Sequence, residues 1–148
     1  MGAMANRALT MDYAYAVTPL LAWLVAGSLK FMINSAKAGQ WAFGQIGYGG
    51  MPSNHSAIVS STATLIALKE GISSPAFGVA VTVAFIVILD ALSLRRQVGK
   101  HATSINILMG ATDSSQKLRE RMGHKPSEVA GGCLVGLVVA LIAYKIGL

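Results

Sequence analysis

Four apolar stretches leave few folds open to this chain. They run from about Tyr13 to Ala36, Ser53 to Lys69, Pro75 to Arg95, and Pro126 to Lys145. A helix needs roughly 20 apolar residues to cross a bilayer. In hydrocarbon its backbone groups must pair within the segment, so helices rather than open strands are expected. Charged residues make up only 12% of the chain, about half the share usual in soluble domains, and the mean hydropathy is +0.57. The expected fold class is therefore all-α: an integral membrane bundle of about four transmembrane helices with one basic loop or short surface helix. Lys30 and the lack of a small-residue cleavage pattern mark the first stretch as a retained helix, not a signal peptide. With 148 residues there is room for one domain. Residues 1–12 read as a tail beginning with a vector-derived Met1-Gly2-Ala3-Met4, and 13–148 as a single transmembrane domain.

The second stretch is short and rich in hydroxyls. Ser53, Ser56, Ser60 and Thr64 recur at helical spacing, with Ser61 alongside, so this stripe should face other helices rather than lipid. Gly132 and Gly136 form a small-xxx-small pair suited to close helix contact. A tight turn is expected at Gly71 with Ser73-Ser74-Pro75. Gly39 to Met51 reads as a glycine-rich loop whose Trp41, Phe43 and Tyr48 suit a membrane interface. Gln97 to Lys125 reads as a long basic loop, with a short surface helix over Asp113 to Met122. Cys133 is the single cysteine, so no internal disulfide or cysteine metal cluster is available.

Four crossings carry most of the unusual polar residues to one face. Lys30 and Lys37 close the first helix, Pro52 to His55 open the second, Asp90, Arg95 and Arg96 end the third, and His124 to Glu128 open the fourth. Arg7, Lys69 and Lys145 fall on the other face, leaving nine of the twelve basic residues on the crowded one. By the positive-inside rule the crowded face is cytoplasmic and both termini lie outside. The basic surplus, a formal net charge of +6, suits that rule and anionic lipid head groups; no nucleic-acid partner is expected.

Two motifs on this face have chemical meaning. Gly49-Gly50-Met51-Pro52-Ser53-Asn54-His55 stops one element and opens a helix with a histidine at its mouth, beside backbone N–H groups suited to phosphate. In Gly123-His124-Lys125-Pro126-Ser127-Glu128, histidine and glutamate stand four apart, on one helical face. Glu128 can hold one ring nitrogen of His124 and leave the other free as a nucleophile. Asp90 in an apolar helix is costly unless paired, and is expected to orient Arg95 or Arg96.

Together these motifs resemble the divergent branch of the type 2 phosphatidic acid phosphatase family, which is related to vanadium-dependent haloperoxidases, from about Val17 to Leu148. The family pattern Lys, six residues, Arg-Pro appears as Lys30, six residues, Lys37-Ala38. Pro-Ser-Gly-His appears as Pro52-Ser53-Asn54-His55. Ser-Arg, five residues, His, three residues, Asp is matched by His124 and Glu128, with Lys117 and Leu118 at the Ser-Arg positions. The resemblance implies a transmembrane phosphatase-like domain that needs no metal or other cofactor. It makes His124, His55 and Glu128 catalytic. Lys30, Lys37, Ser53, Arg95 and Arg96 are expected to bind the substrate phosphate.

The expected function is a membrane-embedded lipid phosphate phosphatase in the bacterial inner membrane, with its site at the cytoplasmic face and a phosphohistidine intermediate. Phosphatidylglycerophosphate is the first substrate candidate the resemblance suggests. The rival is a non-catalytic protein that binds or transports lipid phosphates on the same scaffold; the missing family arginine is its support. Partners are membrane lipids and the lipid phosphate, with self-association into a homo-oligomer expected for four helices too short to seal a large core.

Overall fold

The structure, a computed structural model, describes residues 13–41, 43, 50–110 and 117–148. The expected tail at 1–12, Tyr48, and residues 113–116 of the expected surface helix lie outside this set. Five α-helices are described: α1 (Ala14–Ala38), α2 (Asn54–Glu70), α3 (Pro75–Leu89), α4 (Arg95–Leu108) and α5 (Pro126–Lys145). A π-helical turn, Asp90–Leu94, joins α3 to α4 without a break. No strand occurs among the described residues.

Local chemistry sets the helix ends. α1 stops at Gly39, whose φ of +63° suits glycine. Ser53 caps α2, its hydroxyl accepting the Ser56 N–H at 3.4 Å. Ser74 caps α3 in the same way through Phe77 at 3.2 Å. Pro75 and Pro126 stand in the first turns of α3 and α5, where a missing N–H costs nothing.

Among the described residues, three continuous helices are long and apolar enough to cross a membrane: Ala14–Ala38, Pro75–Leu108 and Pro126–Lys145. Their outward residues, among them Leu20, Trp23, Val79, Phe85, Leu134 and Ile142, are large, apolar and exposed, as lipid contact requires. The protein is an integral membrane helical bundle. α2, with 17 residues and a length of about 25 Å, is its central helix and packs against α1, α3 and α5.

The serines of the hydroxyl stripe face α5, a neighbouring helix as the spacing suggests. Ser53, Ser56 and Ser61 are fully buried. Ser60 donates to the Ser56 carbonyl at 2.6 Å and, across the interface, to the Cys133 carbonyl at 3.3 Å. The two helices approach at Gly132 and Gly136. A methyl group on Gly132 would strike the Ser53 carbonyl and come 2.9 Å from Ser56 Cβ. One on Gly136 would strike Ser60 Oγ and the Ala57 carbonyl. The remaining core is built of small residues. Ala22, Ala26, Ala57 and Val139 form one cluster, while Ala14, Leu65 and Ala140 form another. Their pairing makes α1 antiparallel to α2 and α5 parallel to it.

Two expectations fail. The third stretch was expected to end near Arg95 and give way to a loop, but the helix continues through the π turn to Leu108. Gly99 and the polar residues around it read as loop material. They are helical because Gly99, Ala102 and Asn106 recur at helical spacing on one buried face. Residues 117–122 lie against this region and are irregular, so the described part of the expected Asp113 to Met122 helix is not helical. At 34 residues, α3 through α4 is about 51 Å long. It overshoots a hydrocarbon core of about 30 Å, and polar α4 extends beyond the apolar part.

The α2–α5 contact is tested by Gly136→Val. Overpacking should cost about 1–3 kcal/mol in unfolding of the detergent-solubilised protein, whereas Gly78→Ala, where nothing lies within 4 Å of the added methyl, should show no loss.

Candidate functional site

The end of the bundle that holds the start of α2 also holds the start of α5 and the π turn. Each contributes polar groups there. On α5, Glu128 reaches back over the first turn. Its Oε2 accepts the Lys125 N–H at 3.2 Å and the His124 ring N–H at Nδ1, at 2.9 Å. A carboxylate only accepts, so this contact puts a proton on Nδ1, and in the neutral ring the lone pair is then on Nε2. His124 is buried, with 8% of its surface exposed. Its backbone N–H donates to the Ala91 carbonyl at 3.0 Å.

α2 is tied to the same place. The Ser53 N–H donates to the Glu128 carbonyl at 2.8 Å, so the mouths of α2 and α5 are joined by backbone. Two residues along, His55 Nε2 lies 3.4 Å from Arg95 Nη1, a long contact in which arginine can only donate. Arg95 is held by Asp90, Nε to Oδ2 at 2.6 Å. Side chains five apart on an α-helix diverge by about 140°. The wider π turn brings this pair to one side, and the Arg95 N–H bonds to the Asp90 carbonyl rather than to Ala91. Ala91 is thereby left with a free carbonyl, the one that receives His124.

The remaining sequence candidates divide. Lys30 is half-buried and within electrostatic reach of Glu128 and His55. His124 and Asp90 also act on His55 at that range. On either side of Lys30 along α1, Asn54 of α2 packs against Gly27 and Asn34 against Gly50. Lys37 is exposed in the last turn of α1. Ser53 is completely buried; its hydroxyl also accepts the Ser56 hydroxyl at 3.0 Å, so its observed work is capping. Arg95 and Arg96 part ways: Arg95 meets His55, whereas exposed Arg96 lays its stem over Gly123, where an added methyl would come 2.6 Å from Cγ. The structure thus brings together His124, Glu128, His55, Arg95, Asp90 and Lys30, and leaves Lys37 and Arg96 at the margin.

Sequence reasoning missed Ala91 and Asn106 and placed Gly99 in a loop. Ala91 acts through its backbone, which no side-chain pattern reveals. The spacing of Gly99, Ala102 and Asn106 was a usable signal within the stretch read as a loop.

Fold and site define a helical membrane protein with two histidines, two carboxylates and cations gathered at one end of the bundle. The chain belongs to the Divergent PAP2 family, whose model matches residues 11–139. It is 36% identical to the Uncharacterized membrane protein YuiD of Bacillus subtilis (strain 168), in an alignment covering 64% of this chain and 70% of that one. No solved structure matches it. The family named by the Pro52-Ser53-Asn54-His55 and His124-Glu128 motifs is therefore the right one.

Glu128→Ala strands two donors, the His124 ring N–H and the Lys125 N–H. A loss of about 1–3 kcal/mol is expected in denaturant or thermal unfolding, with a smaller loss for Glu128→Gln, whose amide oxygen still accepts.

Proposed function

We propose that this protein is a membrane-embedded lipid phosphate phosphatase acting through a phosphohistidine. The observation that carries this reading is the His124 Nδ1–Glu128 contact of 2.9 Å, which suits the opposite ring nitrogen to nucleophilic attack, at the end of the bundle where His55 and Arg95 meet.

In the first step His124 Nε2 attacks phosphorus. The P–N bond forms and the bond to the lipid alcohol breaks; with Arg95 drawn from His55 onto the phosphate, His55 Nε2 carries the proton that it gives to the leaving oxygen. In the second step His55 takes a proton from water. The resulting hydroxide attacks phosphorus, the P–N bond breaks, and inorganic phosphate leaves with His124 restored. Glu128 steadies the positive charge that His124 gains on attack. Arg95, steered by Asp90, and Lys30 stabilise the phosphoryl oxygens as charge builds on them. Lys37 and the N–H groups at the start of α2 add positive potential, and Arg96 adds its charge from the margin. A substrate with its acyl chains in the bilayer would present its head group to this end. Phosphatidylglycerophosphate is the first candidate, with isoprenyl phosphates and phosphatidic acid alongside it. The positive-inside distribution supports a cytoplasmic site in a bacterial inner membrane.

A second reading, binding or transport of lipid phosphates without hydrolysis, has one specific support: Lys117-Leu118 stands where the family pattern has Ser-Arg.

Release of inorganic phosphate from a panel of lipid phosphates in detergent micelles tests both. The parent should release phosphate, His55→Ala should lose about 10²–10⁴-fold, and His124→Ala should lose release together with any acid-labile, base-stable phosphoprotein. Phosphate release that survives His124→Ala sinks the nucleophile assignment; lipid phosphate binding with no release by the parent favours the second reading.

A further inference from the structure

We infer that Asn106 and Gly99, on α4 and beyond the apolar part of the bundle, are positioning residues for His124. They act through the strap of residues 117–124, which crosses from α4 to the start of α5.

Asn106 treats the strap as a neighbouring strand would. It is 5% exposed. Its Nδ2 donates to the Leu118 carbonyl at 2.9 Å and to Glu120 Oε1 at 2.8 Å, while its Oδ1 accepts the Leu118 N–H at 2.8 Å. One side chain thus makes three of the four hydrogen bonds available to it, and such a satisfied buried network specifies a single register. Two turns nearer the site, Gly99 lets the strap lie directly on the helix, since a methyl group there would strike the Glu120 carbonyl oxygen. The strap then turns at Gly123, φ +82°, where a methyl group would come 3.0 Å from the Arg96 nitrogen. It ends with the His124 N–H on the Ala91 carbonyl, at 3.0 Å.

That last bond joins the strap to the π turn. Arg95 gives its N–H to Asp90, so Ala91 has an acceptor to offer. The same irregular turn therefore docks the His124 backbone and aims Arg95 at His55. Asn106 and Gly99 fix the distal part of the strap, and the π turn fixes its end. The His124 ring then has one position from which to meet Glu128. Loosening the distal part should leave Glu128 and the α2–α5 contact intact while letting the imidazole wander.

The test uses the full chain in detergent micelles, labelled with ¹⁵N-histidine, with His124 assigned by the loss of its signals in His124→Ala. The variants are Gly99→Ala and Asn106→Ala, with exposed Ser104→Ala as control. Alanine is the best helix former, so both substitutions favour α4 itself, and a purely structural role predicts no harm to the site. The parent should show His124 with its proton fixed on Nδ1. In both variants that signal should move toward averaged tautomers while Ser104→Ala keeps the parent signal. The kinetic arm rests on the proposed hydrolysis. There kcat should fall by about 10–100-fold, the usual scale for small misplacements of a catalytic group, with KM nearly unchanged. Should the parent release no phosphate, the hydrolytic reading fails and the imidazole signal still decides this one. A parent-like His124 signal in either folded variant overturns the positioning role, whatever happens to kcat; if one variant does not fold, the other decides.

Discussion

Backbone contact between α2 and α5 is the constraint on which the polar end depends. Gly132 and Gly136 bring α5 so near that an added methyl group would strike carbonyl groups of α2. At the head of this contact the Ser53 N–H bonds to the Glu128 carbonyl. The residue that opens α2 and the residue that orients His124 are therefore joined by main chain. In hydrocarbon there is little hydrophobic gain in pressing helices together, so close packing and hydrogen bonds must do it. Small residues supply the first, and the serines of α2 supply the second through Ser60 and the Cys133 carbonyl.

A second constraint comes from the helix that α3, the π turn and α4 make together. A regular helix would tie up the Ala91 carbonyl and send Asp90 and Arg95 to different faces. The π turn changes both at once. Its released carbonyl receives His124, and its altered register pairs Asp90 with Arg95 beside His55. The arginine missing from the family pattern after Lys117 thus has a counterpart of like charge arriving from another element. Arg96 is its neighbour in sequence, yet its stem is spent on Gly123, showing how sharply helical register divides adjacent residues.

Much of this was legible in the chain because membrane folding leaves few choices. Apolar length fixed the helices α1, α2 and α5 to within a residue or two, and Ser53, Ser74, Pro75 and Pro126 marked starts by ordinary capping chemistry. The clustering of polar residues at one end followed from counting crossings. The four-residue spacing of His124 and Glu128 required only helical geometry. What misled was α4: a glycine, two arginines and several hydroxyls resemble a loop when the burying partner is an irregular strap distant in sequence.

The sequence alone determined the helical membrane class, the family, and the side of the bundle on which the polar residues gather, because those depend on composition, local periodicity and the parity of crossings. Tertiary structure decided which of them meet. That Arg95 and not Arg96 reaches His55, that Ser53 caps α2 from a buried position, and that a backbone carbonyl of Ala91 seats His124 all depend on helix register and main-chain hydrogen bonds. Both are set by how α2, α5 and the π turn pack, and no side-chain pattern within a single segment records that.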